Sequence, residues 1–233
     1  MSDAAELPFD YVTKKAGRPL QDGGKAPLLL LLHGVGSNET DLFSLAPMVD
    51  DRFVVVSLRA PITLAPGSFA WFEVRFTGEG PVIRPEQAEL SRLDLINFIE
   101  QAPDVFNIDP ARIYLLGFSQ GAIMSLALLL TRPELTAGVV ALSGRTLPEL
   151  FSADTPLGDH LAPHEALADR PLLVIHGRWD EVLSVDYGRA TRDRFADLPV
   201  ALTYREYDMP HAISAEAMDE VSKWLAARLE ETD

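Results

Sequence analysis

The sequence predicts an α/β fold with a mostly parallel central sheet flanked by helices. Six short apolar runs alternate along the chain with longer segments whose apolar residues recur at helical spacing. Uninterrupted apolar runs are typical of strands that are buried on both faces, as in a parallel sheet. Strands that alternate with helices indicate right-handed crossover connections. With 233 residues, of which 47% are hydrophobic, the chain is predicted to form a single domain over residues 1–233, with residues 1–8 flexible.

The strands are predicted from the composition of these runs. The first run consists of five consecutive leucines, and the second is rich in valine. In chain order, the runs are residues 28–32, 53–58, 113–116, 138–142, 172–175 and 201–207. An edge strand is also expected over residues 9–15.

Helical spacing of apolar residues predicts the helices, which span residues 39–49, 85–106, 120–131, 185–198 and 212–229. Ser37 or Asn38 can cap the first helix, and Ser214 is expected in the first turn of the last. Residues 60–84 and 145–170 contain several prolines and are expected to be long irregular loops. Because no large helical insertion interrupts the pattern, no large cap domain is expected.

A Gly-x-Ser-x-Gly pattern lies at residues 117–121, directly between a predicted strand and a predicted helix. A serine on such a tight turn projects out of the sheet, and its hydroxyl is exposed for attack. Gly117 and Gly121 suit this turn because a Cβ at either position would press on the neighbouring strand or helix. Ser119 is therefore the predicted nucleophile.

One of the five histidines is expected to activate this serine. A serine hydroxyl is a weak nucleophile and needs a base that is oriented by a further group. His211 follows the last predicted strand and fits the chain order of serine, acid and histidine. His176 ends a strand and is more typical of a packed residue, whereas His160 and His164 lie in a polar loop. His211 is the predicted base.

The acid is expected between the serine and the histidine in the chain. Asp180 follows the strand predicted at 172–175. Glu181 and Asp186 are alternatives, but Asp186 is expected to open the following helix and Glu181 to be solvated. All members of the predicted triad then lie at the carboxyl ends of strands, where ligand sites of parallel sheets are found.

Two main-chain amides are the predicted donors to the oxyanion of an acyl-transfer reaction. The N–H of Gln120 begins a helix, so it has no partner within that helix, and the helix dipole favours negative charge there. The second donor is expected in the loop after an earlier strand. His-Gly-Val-Gly at residues 33–36 fits that place, and the Val35 N–H is its predicted donor.

These segments resemble the phospholipase/carboxylesterase family of α/β-hydrolases, which includes the acyl-protein thioesterases. The matching segments are Leu-His-Gly-Val-Gly at 32–36, Ala-Trp-Phe-Glu at 70–73, Leu-Gly-Phe-Ser-Gln-Gly-Ala at 116–122, Ala-Leu-Ser-Gly at 141–144, His-Gly-Arg-Trp-Asp at 176–180 and Met-Pro-His-Ala-Ile at 209–213. The resemblance implies an α/β-hydrolase fold, hydrolysis of carboxylic esters or thioesters, and no cofactor. It also supports the predicted triad and both predicted oxyanion donors.

The chain departs from the family pattern in two places. Glu73 stands where the family commonly has aspartate, and residues 145–170 match no motif of the family. Trp71 and Phe72 are the predicted substrate-binding residues, because aromatic side chains here would suit an acyl-binding wall. The alternative is that Trp71 fills the core beneath the loop.

The predicted reaction is two-step acyl transfer through an acyl-enzyme, with no metal and no organic cofactor. A peptidase or amidase on the same triad is an alternative, since triads serve several chemistries. A non-catalytic binding protein is a further alternative. The predicted partner is a small-molecule ester or thioester, and a homodimer is compatible with the sequence.

Composition limits the other partners. A net charge of −15 argues against nucleic acid and against stable docking on anionic membranes. The chain has no cysteine, which excludes disulfides, a thiol nucleophile and a thiolate metal site. The apolar runs are too short to span a bilayer, and the first residues lack the pattern of a secretory signal. A cytoplasmic location is expected.

Overall fold

A computed structural model describes residues 7–20, 23–78, 80–158 and 160–230, which contain a seven-stranded central sheet and two small two-stranded sheets. The strands are β1 (Tyr11–Lys14), β2 (Ala26–Leu32), β3 (Val54–Leu58), β4 (Ile62–Ala65), β5 (Ser68–Ala70), β6 (Val74–Thr77), β7 (Gly80–Ile83), β8 (Ile108–Phe118), β9 (Gly138–Leu142), β10 (Pro171–Gly177) and β11 (Ala201–Tyr207). The central sheet has the order β1-β3-β2-β8-β9-β10-β11. The edge strand β1 is antiparallel to β3, and the other neighbours are parallel. The predicted fold and edge strand are confirmed.

The leucine run of β2 is uninterrupted because the sheet is covered on both faces. Leu28, Leu30 and Leu32 pack into one apolar core, whereas Leu29 and Leu31 pack into a second core on the opposite face. Each of the five is at most 1% exposed. Since neither face of the strand meets water, a polar side chain at any of these positions would be buried without contact with solvent.

The α-helices of the described residues cover these two faces. They are α1 (Pro85–Phe106), α2 (Gln120–Thr131), α3 (Val185–Ala196) and α4 (Ala215–Glu230). The apolar sides of α1 and α2 pack into the first core, and that of α4 packs into the second. Both α1 and α2 have the predicted bounds. Pro85 suits the first position of α1, where its missing N–H would have no helical partner.

The helix predicted over residues 39–49 is wrong in type and extent. The structure has a 3₁₀ helix at Leu42–Met48 instead. Pro47 lies inside this segment and cannot donate the N–H that an α-helix requires there. The apolar pattern of the segment is preserved in the tighter helix, because Leu42 and Ala46 are both buried.

The predicted caps are also corrected. Ser37 donates its hydroxyl to Asp41 at 2.6 Å, and Asn38 accepts a main-chain N–H from two residues further on, so both close local turns. Ser214 precedes α4 rather than lying in its first turn. Its hydroxyl accepts the N–H of Ala217 at 3.2 Å, which satisfies one free donor of the helix.

The sequence predicts an irregular loop over residues 60–84, and this prediction is wrong. The segment forms two β-hairpins, β4–β5 and β6–β7. The first hairpin turns at Gly67, whose φ of +75° favours glycine. The N–H of Gly36 donates to the carbonyl of Phe69, and the N–H of Phe69 donates to that of Ser37, each at 2.8 Å. The hairpin is thereby joined to the loop that follows β2.

The loop at residues 145–170 is irregular, as predicted, with 3₁₀ turns at Pro148–Phe151 and His164–Leu167. Within the described ranges no cap domain covers the carboxyl edge of the sheet. Of the segment predicted to be flexible, residues 1–6 lie outside the described residues, and Leu7 packs against the core. None of the described helices is long and apolar enough to cross a bilayer.

Candidate active site

Ser119 lies on a tight turn between β8 and α2. Its φ of 53° and ψ of −114° are unusual for a residue with a Cβ, and its N–H donates to the carbonyl of Leu142 at 2.8 Å. A Cβ at Gly117 would lie 2.3 Å from the carbonyl oxygen of Gly121, and one at Gly121 would lie 1.9 Å from that of Leu32. The predicted need for both glycines is confirmed.

His211 reaches Ser119 from the loop between β11 and α4. Its Nε2 lies 2.9 Å from Ser119 Oγ, and its Nδ1 lies 2.7 Å from Asp180 Oδ2. The ring packs against Phe118, with ring centroids 4.9 Å apart. The three side chains that the sequence predicts as a triad therefore form one hydrogen-bonded chain.

The carboxylate of Asp180 is fully buried, and both of its oxygens are used. Oδ1 accepts the N–H groups of Val182 and Leu183 at 2.9 and 2.8 Å, and Oδ2 faces His211, with His176 Nε2 3.5 Å away. Burial alone would raise the pKa of the Asp180 carboxyl. Hydrogen bonds from His176, His211 and the Leu183 N–H outweigh burial and hold this pKa below its usual range.

This shift makes the Asp180 carboxylate a stabilising group at ordinary pH. The pKa of an aspartate in an unfolded chain is about 3.9. The pKa of the Asp180 carboxyl in the folded protein is lower than that value. The contribution of the ionised group to stability is therefore complete above the unfolded pKa. It is lost as the pH falls through the lower, folded pKa.

The alternative acids lie in the places that the sequence predicts for them. Glu181 is exposed, and Asp186 lies in the first turn of α3, where it forms an ion pair with Arg189. His160 and His164 are exposed loop residues, as predicted. Among the described residues, Asp180 is the carboxylate in contact with His211.

His176 is packed at a strand end, as the sequence predicts, but it also contacts the site. Its Nε2–H donates to the carbonyl of Leu183 at 2.8 Å and lies 3.5 Å from Asp180. Within the described residues its buried Nδ1 has no hydrogen-bond partner, and a Cβ at Gly188 of α3 would lie 2.6 Å from that atom. No local pattern in the sequence marks this contact, because a spacing of four residues brings side chains together on a helix and His176 lies in a strand.

His33 holds the loop that carries Val35. Its Nδ1–H donates to the carbonyl of Gly34 at 2.7 Å, and its Nε2 accepts the N–H of Ala60 at 3.0 Å. Burial lowers the pKa of His33, which fits a neutral ring that donates at one nitrogen and accepts at the other. A Cβ at Gly34 would lie 3.3 Å from that of Ser119, so the loop lies directly beside the serine.

The side chain of Gln120 points into the core and holds the main chain of the Trp-Phe segment. Its Oε1 accepts the N–H of Trp71 at 2.7 Å, and its Nε2 donates to the carbonyl of Phe72 at 2.6 Å. Within the described ranges, neither the main-chain N–H of Gln120 nor that of Val35 donates to a main-chain carbonyl. Both predicted donors are therefore available to a ligand.

Trp71 lies in the core rather than in a binding wall, which corrects the prediction for this residue. It is fully buried and packs edge-on against Phe9, and its Nε1–H donates to the carbonyl of His33 at 2.9 Å. A buried indole needs a partner for its N–H, and the end of β2 supplies one. Phe72, by contrast, lines a cavity beside Ser119.

This cavity is mostly apolar and includes Ser119 in its wall. Its apolar lining includes Val35, Phe72, Val74, Ile83, Ile123 and Leu183. Gln120 and Arg145 add polar groups. A wider surface groove along hairpin β6–β7 shares Val35, Val74 and Ile83 with it. Apolar walls with a few polar groups are typical of small-molecule sites.

The described residues show no candidate metal site, since they contain no group of three or more histidine, aspartate or glutamate side chains arranged to hold an ion. Reaction without a metal or organic cofactor stays a prediction from the sequence.

The strand order and the serine elbow at the end of β8 define the chain as an α/β-hydrolase. The sequence model of the phospholipase/carboxylesterase family matches residues 21–229. The chain belongs to this family of ester hydrolases, as its motifs predict.

Several known proteins are similar over most of the chain. Acyl-protein thioesterase 1 of Candida albicans is 26% identical over 222 residues, which cover 89% of this chain and 94% of that protein. Esterase YpfH of Escherichia coli is 30% identical over 217 residues, which cover 89% of this chain and 83% of that protein. The crystal structure of a Bacillus cereus carboxylesterase matches with a TM-score of 0.77 at 22% identity and covers 96% of both chains. At that identity the structural likeness shows the fold alone.

Proposed function

We propose that the chain hydrolyses carboxylic esters, including thioesters, through an acyl-enzyme on Ser119, with His211 as base and Asp180 as the orienting acid. The observation that carries this proposal is the position of His211, whose two ring nitrogens lie 2.9 Å from Ser119 Oγ and 2.7 Å from Asp180 Oδ2. Thioesters are included because a similar protein is named an acyl-protein thioesterase.

In the first half of the reaction, His211 Nε2 takes the proton of Ser119 Oγ as that oxygen attacks the carbonyl carbon. The ionised Asp180 accepts the Nδ1–H of the ring, which fixes the tautomer and stabilises the imidazolium. His211 then gives its proton to the leaving alcohol or thiol. In the second half, water attacks the acyl-enzyme along the same proton path in reverse.

The main-chain N–H groups of Val35 and Gln120 are the proposed donors to the oxyanion. Neither is used by a main-chain carbonyl in the described ranges, and each lies in a segment fixed by other bonds. His33 fixes the first segment, and the Gln120 side chain fixes the second against Trp71. Donors that are already oriented stabilise the developing charge without reorganisation.

The cavity beside Ser119 is the proposed site for the acyl group. His211 protonates the leaving group, so that group has to lie on the histidine side of the serine. The residues that line the cavity include Phe72, Ile123 and Arg145 but not His211. Its small size favours short or medium acyl groups.

Labelling with a fluorophosphonate probe tests the proposal directly. We expect one covalent adduct per chain, located on the peptide that contains Ser119, together with loss of activity on p-nitrophenyl esters. Hydrolysis of the p-nitroanilides of the same acids, at a rate close to that of the esters, would favour the amidase alternative. Adduct formation on any other serine, with loss of activity, would contradict the assignment. The cytoplasmic location and the homodimer stay predictions from the sequence.

The pH profile of kcat/KM for a neutral ester is expected to show one acid limb. On the acid side the rate should fall about tenfold per pH unit, because a protonated His211 cannot accept the serine proton. Asp180 adds no second step, since its pKa is held below the usual range of an aspartate. The measurement covers roughly pH 5 to pH 9, where histidine charge changes. A rate independent of pH, with chemistry rate-limiting, would remove His211 as the base.

A further inference from the structure

Arg145 is a buried cation beside the proposed nucleophile. It follows β9, the strand next to β8, and the residue before it packs on the serine turn. A Cβ at Gly144 would lie 3.2 Å from the carbonyl oxygen of Ser119 and 2.6 Å from the Cβ of Ala122. Arg145 is 5% exposed and lines the same cavity as Ser119. Its side chain therefore reaches the space in which the acyl group is proposed to bind.

The guanidinium of Arg145 has no anionic partner. It carries five N–H donors, yet within the described residues none of them donates to a protein acceptor and no carboxylate forms an ion pair with it. The guanidinium lies 5.8 Å from the ring centroid of Tyr187. The nearby Glu149 acts on it only through space, and the buried Oε2 of Glu149 has no hydrogen-bond partner of its own.

Burial of most of this unpaired side chain is costly, because it removes part of the hydration of the cation. Burial lowers the pKa of Arg145, whereas Glu149 and Tyr187 oppose this shift. Arginine nevertheless keeps its charge in proteins. The cavity thus presents a fixed positive charge and free N–H donors in an otherwise apolar wall. An anion on a bound ligand would supply the partner that the protein lacks.

We propose that Arg145 binds a carboxylate carried by the acyl part of the substrate, so that half-esters of dicarboxylic acids are preferred substrates. The inference rests on the proposed function, because it takes Ser119 as the point of attack. The planar guanidinium matches a carboxylate through two parallel hydrogen bonds. The net charge of −15 cannot produce such a preference, since it repels anions from the protein as a whole.

The experiment compares two series of p-nitrophenyl esters. One series consists of the half-esters of succinic, glutaric and adipic acid, with their uncatalysed hydrolysis subtracted. The other consists of the neutral butanoate, pentanoate and hexanoate esters of the same chain lengths. The measured quantity is the ratio of kcat/KM for each half-ester to that for its neutral counterpart.

Replacing Arg145 by glutamine is expected to lower this ratio by about 10- to 100-fold for the best half-ester, the effect of losing a hydrogen bond to a charged group. Because the ratio refers each half-ester to its neutral counterpart in the same variant, any effect of Arg145→Gln that is common to both series cancels. Arg145→Lys keeps the charge but loses the planar guanidinium, so its ratio should lie between that of the wild type and that of Arg145→Gln. If Arg145→Gln does not fold, Arg145→Lys decides, and an unchanged ratio in that variant overturns the proposal.

Glu149→Gln is the matched control. If Arg145 served only to balance the charge of Glu149, both glutamine variants would affect stability and all esters alike, and that result overturns the proposal. If Arg145 forms an anion site, meaning a site that binds the carboxylate of the acyl part, Glu149→Gln should keep the preference for half-esters. An ester with its carboxylate in the alcohol part, such as 4-(butanoyloxy)benzoate, should lose no more activity in Arg145→Gln than the neutral butanoate ester does. A loss confined to that ester overturns the placement in the acyl part.

The two proposals fail in different ways. If the neutral esters are hydrolysed, and this activity depends on Ser119, while the ratio is the same in the wild type and in Arg145→Gln, only the anion site is wrong. If no ester is hydrolysed by the folded wild type, the proposed function is wrong and the anion site with it.

Discussion

Replacing Ser119 by alanine is expected to lower kcat for ester hydrolysis on the order of 10⁶-fold, the loss found when the serine of a protease triad is removed. The reason is that no other oxygen lies at hydrogen-bond distance from His211 Nε2 in the described structure. The fold should survive, because the main-chain N–H of residue 119 keeps its bond to Leu142. The measurement is hydrolysis of p-nitrophenyl butanoate together with thermal unfolding.

Ser143 offers a matched control for this substitution. It follows β9 as Ser119 follows β8, it is fully buried, and it also has a positive φ, of 49°. Its hydroxyl has no hydrogen-bond partner in the described structure. Ser143→Ala should therefore leave the activity close to that of the wild type. Retained activity in pure, folded Ser119→Ala would refute the assignment of the nucleophile.

Replacing Asp180 by asparagine is expected to lower kcat on the order of 10⁴-fold, as in the corresponding serine protease variant. The asparagine oxygen can still accept the N–H groups of Val182 and Leu183, so its NH₂ group has to face His211. An amide donor at that place requires an unprotonated Nδ1. The proton then resides on Nε2, which can no longer accept the proton of Ser119.

The neighbouring residue provides the control for Asp180. Glu181→Gln changes an exposed carboxylate one position along the chain and should alter kcat by no more than a few fold. Unfolding of both variants is measured, because Asp180→Asn removes a buried charge. A large loss in Glu181→Gln with a small loss in Asp180→Asn would make Glu181 the orienting acid.

The central sheet could be predicted from the sequence because its strands are buried on both faces. The run Leu28–Leu32 is short and lies between Pro27 and Gly34, which favours a buried strand over a segment of a buried helix. The bounds of α1 and α2 also follow from local signals. The hairpins of residues 60–84 depend instead on bonds to a distant segment, as between Phe69 and Gly36. The 3₁₀ helix at Leu42–Met48 was missed because apolar spacing does not distinguish helix types.

The three residues proposed as a triad could be predicted because each follows a strand and their chain order is known for this kind of turn. The supporting residues could not be predicted in the same way. Trp71, His176 and Arg145 owe their positions to contacts across the sheet edge, which no local pattern encodes. Arg145 lies at the start of a loop that matches no motif, so its burial becomes visible only in three dimensions.

The contact between His176 and Gly188 limits how the sequence of α3 can change. Glycine is a poor helix former, and alanine at position 188 would favour the helix by roughly 1 kcal/mol. A methyl group there would nevertheless press on the imidazole that adjoins Asp180. The exposed positions of α3 carry no such constraint. Helix propensity alone would therefore favour alanine at position 188, whereas the clash with His176 opposes it, so the orientation of a residue at the site depends on the absence of one methyl group in a neighbouring helix.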